Sequence, residues 1–163
     1  MRTEMSEFLN NAVDRYSNTI IKIAFQHTRC RADAEDIAQD VFLALYRKQP
    51  KLSDEAHLKA WLIRAAINAS RNRAKSADRK NVVPLNEEIT PDLETGYELD
   101  DEKTALLEAL QKLSEGERNV VYLYYYEGYS AKEIAAIIGK RESSVFMSLS
   151  RARERLRELF SEE

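Results

Sequence analysis

"SAKEIAAIIGKRESSVFMSLSRARERL", residues 130–156, decides how the chain folds, because its spacing is that of two helices meeting at a tight turn. Ala135 is small, so the first helix can approach the second. Gly139, four positions later, can take the left-handed conformation that such a turn requires. Val145 lies six further on, a branched apolar residue placed to pack the second helix back onto the first. Ser130 followed three residues later by Glu133 is a capping box, which gives the first helix a readable start. The stretch therefore predicts a helix-turn-helix.

Upstream of it the pattern stays helical. Leu106, Leu107, Leu110 and Leu113 recur at helical spacing, and Ser114 with Glu117 makes a second capping box. The run "NVVYLYYYEGYS" (119–130) predicts a buried helix ending near Gly128. Its tyrosines Tyr122, Tyr124, Tyr125 and Tyr126 wrap around that helix, so some belong to the core and some to the surface.

Residues 81–101 break the pattern. They contain Pro84, Pro91 and Gly96, follow no helical period, and read as a flexible linker. From Glu87 to Glu102 the stretch holds acids and no base. Fully extended, about 21 residues cover roughly 70 Å, or about two turns of B-DNA.

The N-terminal part is a second helical module. Phe8, Leu9, Val13, Tyr16, Ile20, Ile21, Ile23, Ala24 and Phe25 mark a helix from about residue 6 to 29. Ala34, Ile37, Ala38, Val41 and Leu45 form one stripe of the next, with Asp36, Gln39, Asp40 and Leu43 on another face. After the loop "KQPKLSDEAH" a long helix begins near Leu58, with Leu58, Trp61, Leu62, Ala65 and Ala66 inward. Arg64, Asn68, Arg71 and Asn72 lie elsewhere around it.

Composition agrees with an all-α protein. The 163 residues include only 4 Gly and 3 Pro, and 33% are charged. No apolar run approaches the roughly 20 residues of a membrane span, so no membrane insertion is expected. The opening "MRTEMSEFLNNAVDRY" lacks the apolar core of a secretory signal. A single cysteine, Cys30, allows no internal disulfide and suits a reducing cytoplasm. His27 and Cys30 stand three apart without a second pair, and no nucleophile elbow or phosphate-binding loop is present. No catalytic residue, metal site or cofactor is expected.

The net charge of −3 hides segregation. Arg64, Arg71, Arg73, Lys75, Arg79 and Lys80 are opposed only by Asp78 within their stretch, and the chain turns basic again from Lys140 to Arg157. Two basic modules separated by an acidic segment are compatible with nucleic-acid binding despite the overall sign.

"DAEDIAQDVFLALYR" (33–47), "LKAWLIRAAINASRNR" (58–73) and "LSEGERNVVYLYYYEGYSAKEIAAIIGKRESSVFMSLSRARERL" (113–156) occur in that order. Together they resemble a bacterial RNA polymerase sigma factor of the sigma-70 family, extracytoplasmic-function group. The resemblance implies two small helical domains joined by an acidic flexible linker: residues 1–80, a linker at 81–103, and residues 104–163 with the helix-turn-helix. It implies no enzyme, but a subunit that binds core RNA polymerase and directs initiation at promoters with −35 and −10 elements. Under it, Asp33, Asp36, Gln39, Asp40 and Phe42 match the surface that grips the β′ clamp helices. Arg64, Asn68, Arg71, Asn72, Arg73 and Lys75 match the helix that recognises and melts the −10 element; cations serve phosphates there and amides serve exposed bases. The loop between Lys51 and His57 matches the segment that captures a flipped base. Trp61 reads as a core anchor or a stacking platform, the former favoured by its spacing with Leu58 and Leu62.

At the −35 element, Arg141, Ser143, Ser144, Phe146, Met147, Ser150 and Arg151 occupy the start and outward side of the recognition helix. Arg153, Arg155 and Arg157 neutralise backbone or pair with Glu154 and Glu158. Many members of the family carry Lys and Arg where this chain has Phe146 and Ser148. That departure leaves open an unusual −35 sequence read through thymine methyls, or heavier reliance on the −10 element. The resemblance further implies the polymerase β flap as partner of the last domain, and an anti-sigma factor as a possible regulator. Two other readings remain: a stand-alone helix-turn-helix regulator, and a sigma-like decoy that binds polymerase without promoter DNA.

Overall fold

Three helices build the first unit: α1 (Arg2–Thr28), α2 (Arg31–Lys48) and α3 (Glu55–Arg79). The structure is a computed structural model describing residues 2–79, 105 and 108–161. The acidic segment 81–103, together with Lys80, Leu106 and Leu107, lies outside the described residues.

Each helix starts a turn or so earlier than its apolar period indicates. α1 carries Glu4 in its first turn, where the helix dipole favours an acid. Asp54 caps α3, its Oδ1 accepting the His57 backbone N–H at 2.8 Å. The junctions use left-handed residues without glycine. Arg29 (φ 54°) donates its N–H to Phe25 O, and Gln49 (φ 41°) donates to Leu45 O. Each such residue costs about 1–2 kcal/mol. The core between the helices offsets that cost.

That core holds Ile20, Ile23 and Ala24 of α1, Ala34, Ile37, Val41 and Leu45 of α2, and Leu58, Leu62, Ile63, Ala66 and Ile67 of α3. Burying one Ile or Leu side chain stabilises by about 1.5–3 kcal/mol. The inward face of α3 is wider than its sequence stripe, because α3 packs on both α1 and α2. Ile63 and Ile67 are therefore buried, while Trp61 and Ala65 sit half-buried at the edge. Ser70 is fully buried and donates its hydroxyl to Ala66 O at 2.7 Å, which removes the penalty of a lone polar group.

The second unit is also helical. Residues 108–111 lead into α4 (Glu115–Val121), a π-helical turn (Tyr122–Tyr126), α5 (Ala131–Ile138) and α6 (Glu142–Ser161). Both capping boxes form. Ser114 Oγ accepts from the Glu117 N–H at 3.2 Å, and Ser130 Oγ from the Glu133 N–H at 3.1 Å. Each glutamate reaches back to its serine's N–H.

The predicted buried helix over 119–130 takes a different form. Its α-helical part stops at Val121, and burial extends only to Leu123. The wider π turn then presents Tyr125 and Tyr126 to solvent at 58% and 62% exposure. Gly139 adopts φ 70° as its position requires, closing α5 with the Lys140 N–H donated to Ala135 O at 3.0 Å. Ile134, Ala135 and Ile137 of α5 and Val145 and Leu149 of α6 are buried where the two helices pack, and Ala152 of α6 joins Leu113 and Val121 in the core. Among the described residues no strand occurs, and no helix is long and apolar enough to cross a membrane.

Candidate nucleic-acid interface

α6 divides cleanly into an inner and an outer face. With Val145, Leu149 and Ala152 inward, helical geometry turns Ser143, Phe146, Met147, Ser150 and Arg151 outward, and all five are exposed. Ser144 is half-buried, and Arg141 is exposed just before the helix. Seven of the eight residues assigned to the −35 element thus lie at the start of α6 or along its outer side.

Arg153 is engaged by the protein itself. Its Nε donates to the Tyr125 hydroxyl at 2.6 Å, and its guanidinium lies 5.7 and 5.6 Å from the Tyr124 and Tyr125 ring centres. The tyrosine hydroxyl, above all, holds the Arg153 guanidinium even more firmly protonated than usual. Arg155 approaches Glu117 at 3.8 Å, rather than an acid of its own helix. Sequence spacing held no signal for either contact, since their partners lie on another element.

Behind this face the π turn is tied down by its own side chains. Tyr122 donates to Glu127 Oε1 at 3.0 Å and stacks on Tyr126 with ring centres 4.9 Å apart. Burial, reinforced by the Glu127 carboxylate, raises the Tyr122 hydroxyl pKa far above its ordinary range.

In the first unit, Arg64, Asn68 and Asn72 are exposed along α3, and Arg71 is half-buried beside them at the same register. Arg73 is turned the other way. Two residues from Arg71 is about 200° around a helix, so its guanidinium faces α2. Arg73 Nη2 lies 3.3 Å from Asp33 Oδ1 and 3.4 Å from Asp36 Oδ2, and Nη1 donates to Asp33 O at 3.3 Å. Lys75 lies within α3, with its side chain outside the described set.

The loop before α3 is ordered by His57, whose Nδ1 accepts the Ser53 N–H at 3.1 Å. Glu55 at the start of α3 binds Tyr16 and Arg15 of α1, at 2.5 and 3.0 Å.

On α2, Asp36, Gln39 and Asp40 are exposed and Asp33 is half-buried. Phe42 is only 9% exposed, because it packs between α1 and α2. It forms the floor of an open groove with Leu9 and Val13 of α1 and Gln39, Leu43 and Tyr46 of α2. Tyr46 was not singled out from the sequence. Its position three residues after Leu43 and off the core stripe is the signal that marks an exposed apolar edge.

The family description "Sigma-70 region 2" matches residues 12–80, and "Sigma-70, region 4" matches residues 103–156. A curated relative, the ECF RNA polymerase sigma factor SigL of Mycobacterium tuberculosis, is 31% identical over 148 residues, covering 88% of this chain and 84% of SigL. The chain belongs to the sigma-70 family of RNA polymerase sigma factors, extracytoplasmic-function group. This sigma factor is also 31% identical over 150 residues to the probable RNA polymerase sigma factor RfaY of Xanthomonas campestris pv. campestris. That match covers 86% of the sigma factor but only 37% of RfaY. Among solved structures it is similar to the sigma factor RpoE of Bartonella quintana, crystallised with the anti-sigma factor NepR. The TM-score is 0.72 at 26% identity, over 93% of this chain and 96% of that one.

Proposed function

We propose that the chain binds core RNA polymerase and confers promoter specificity by holding a double-stranded −35 element with its second unit and a melted −10 strand with its first. The observation that carries this reading is the outward face of α6, where Arg141, Ser143, Phe146, Met147, Ser150 and Arg151 stand on the far side of a helix-turn-helix core. The exposed Arg64, Asn68 and Asn72 of α3 supply a second nucleic-acid surface in the same chain. Their mix of cation and amides suits a strand whose phosphates and base edges are both accessible.

On this reading, Asp33, Asp36, Gln39 and Asp40 meet the β′ clamp helices, with Phe42 supporting their helix from within and the Leu43–Tyr46 edge adding apolar contact. The exposed Tyr125 and Tyr126 are the surface offered to the β flap. The chain acts by differential binding, without catalytic residues, metal or cofactor of its own, and works in the cytoplasm beside the polymerase. Residues 1–80 and 104–163 form the two domains, and the acidic residues 81–103 imitate nucleic acid on the polymerase surface. An anti-sigma factor, as in the RpoE complex, is the class of regulator expected.

The test is transcription in vitro with purified core polymerase and a library of promoter fragments. Specific initiation at a shared two-part motif, dependent on this chain, is the expected result. Tight core binding without specific initiation would establish the decoy reading, and absence of core binding the stand-alone regulator.

A further inference from the structure

We infer that Phe146 and Met147 read thymine through its C5-methyl group in the upstream promoter element, so that apolar contact sets part of the sequence preference of α6. The inference rests on the proposed reading of α6 as the −35 recognition helix. Val145, Leu149 and Ala152 already fill the inner face of α6, while Phe146 and Met147 remain 55% and 53% exposed. Helical register puts Ser143 and Ser150 on the same outer face, one turn to either side. Small hydroxyl residues there let the helix come close to a groove floor. Arg141 and Arg151 are exposed at the two ends of the patch, where backbone phosphates would lie.

The N-terminal part of the second helix in a helix-turn-helix is the part that enters the major groove. Within that groove the thymine methyl is the apolar group on display, and the other base-edge groups are hydrogen-bond donors and acceptors. An aromatic ring and a thioether chain bury the methyl favourably. Placed over a G·C pair, they desolvate polar edges without answering them. Cation placement gives this contact added weight. Arg153 is held by Tyr124 and Tyr125, and Arg155 leans on Glu117, so part of the basic charge of α6 is engaged within the protein.

The full-length chain is assembled with core polymerase, and its upstream element is found by selection from a promoter library. Each thymine of that element, on either strand, is then replaced by deoxyuridine, which lacks only the methyl group. Competition binding is measured for the parent and for a Phe146→Ala, Met147→Ala double variant. One or two positions should weaken parent binding about three- to tenfold, as loss of one buried methyl contact implies. The same replacements should leave the variant's affinity unchanged. Specific initiation without a deoxyuridine effect, an identical effect in the variant, or an upstream element lacking A·T pairs would overturn the inference and leave the sigma reading standing. Loss of core binding in the variant would also overturn it, by making the patch a protein contact. Failure of the parent to initiate at any specific site would remove the underlying reading, and the inference with it.

Discussion

Arg73 of α3 reaches Asp33 of α2 at 3.3 Å, joining a residue assigned to the −10 strand to one assigned to the polymerase. Asp36 shares the same guanidinium at 3.4 Å. Partly exposed pairs of this kind contribute about 0–1 kcal/mol to stability. The weight of the contact lies in position: under the proposed function, polymerase cations approaching Asp33 and Asp36 would compete with Arg73 for the same carboxylates. Arg73→Ala is expected to lower the unfolding free energy by less than about 1 kcal/mol in urea titrations. A double-mutant cycle with Asp33→Asn, read on open-complex formation, should be non-additive. Strict additivity would make the pair incidental.

The Ser130–Glu133 box starts the helix that supports α6. Ser130→Ala should cost about 1 kcal/mol in thermal or urea unfolding, the ordinary worth of an N-cap. The hydrogen bond from the Ser130 backbone N–H, and then the one with its hydroxyl, hold the Glu133 carboxyl below its usual pKa. A folded pKa below the unfolded one means the contribution is present above the usual glutamate range of about 4.3 and is lost as pH falls through the folded value. Glu133→Gln should therefore flatten the acid limb of the melting-temperature profile. Profiles that stay parallel would count against this role.

Phe146 is exposed on α6 and Ser148 half-buried beside it. Phe146→Lys combined with Ser148→Arg should steepen the dependence of log Kobs on log salt by about one to two units, at roughly 0.9 per phosphate engaged. The measurement is binding of −35 duplex by the holoenzyme over a salt series. An unchanged slope would mean that α6 does not approach phosphates at these positions.

Arg151 and Arg153 should part company under alanine substitution. Arg151→Ala is expected to flatten the same salt slope by about one unit. Arg153→Ala should leave it nearly unaltered and instead destabilise the second unit by about 1 kcal/mol, through loss of its tyrosine contacts. Salt titration and thermal unfolding of both variants decide the matter, and a flattened slope for Arg153→Ala would place it on DNA.

Ile134 of α5 and Leu149 of α6 are buried in the second unit, at 0% and 2% exposure. Truncating either to alanine should cost about 2–5 kcal/mol. That is a large share of what a small unit commands. Circular dichroism melts should show the loss, and −35 binding should fall with it.

What the sequence determined by itself is local. Ser114 with Glu117, Ser130 with Glu133, and Gly139 after Ile138 are arrangements of residues within a few positions of each other, and the backbone brings them together whatever lies around. The alternation of buried and exposed positions along α2 and α6 was legible for the same reason: one periodicity sets both the pattern and the helix. Tertiary structure decided the rest. Arg73 meets Asp33 forty residues away, and Arg153 meets Tyr125 across twenty-eight, because helix packing brings distant side chains together. Phe42 turned inward, and Tyr125 and Tyr126 outward, through the same packing and the π turn that ends α4. A side chain's nearest neighbours in sequence carry its helical register. Its partners in space are set only when the helices have found each other.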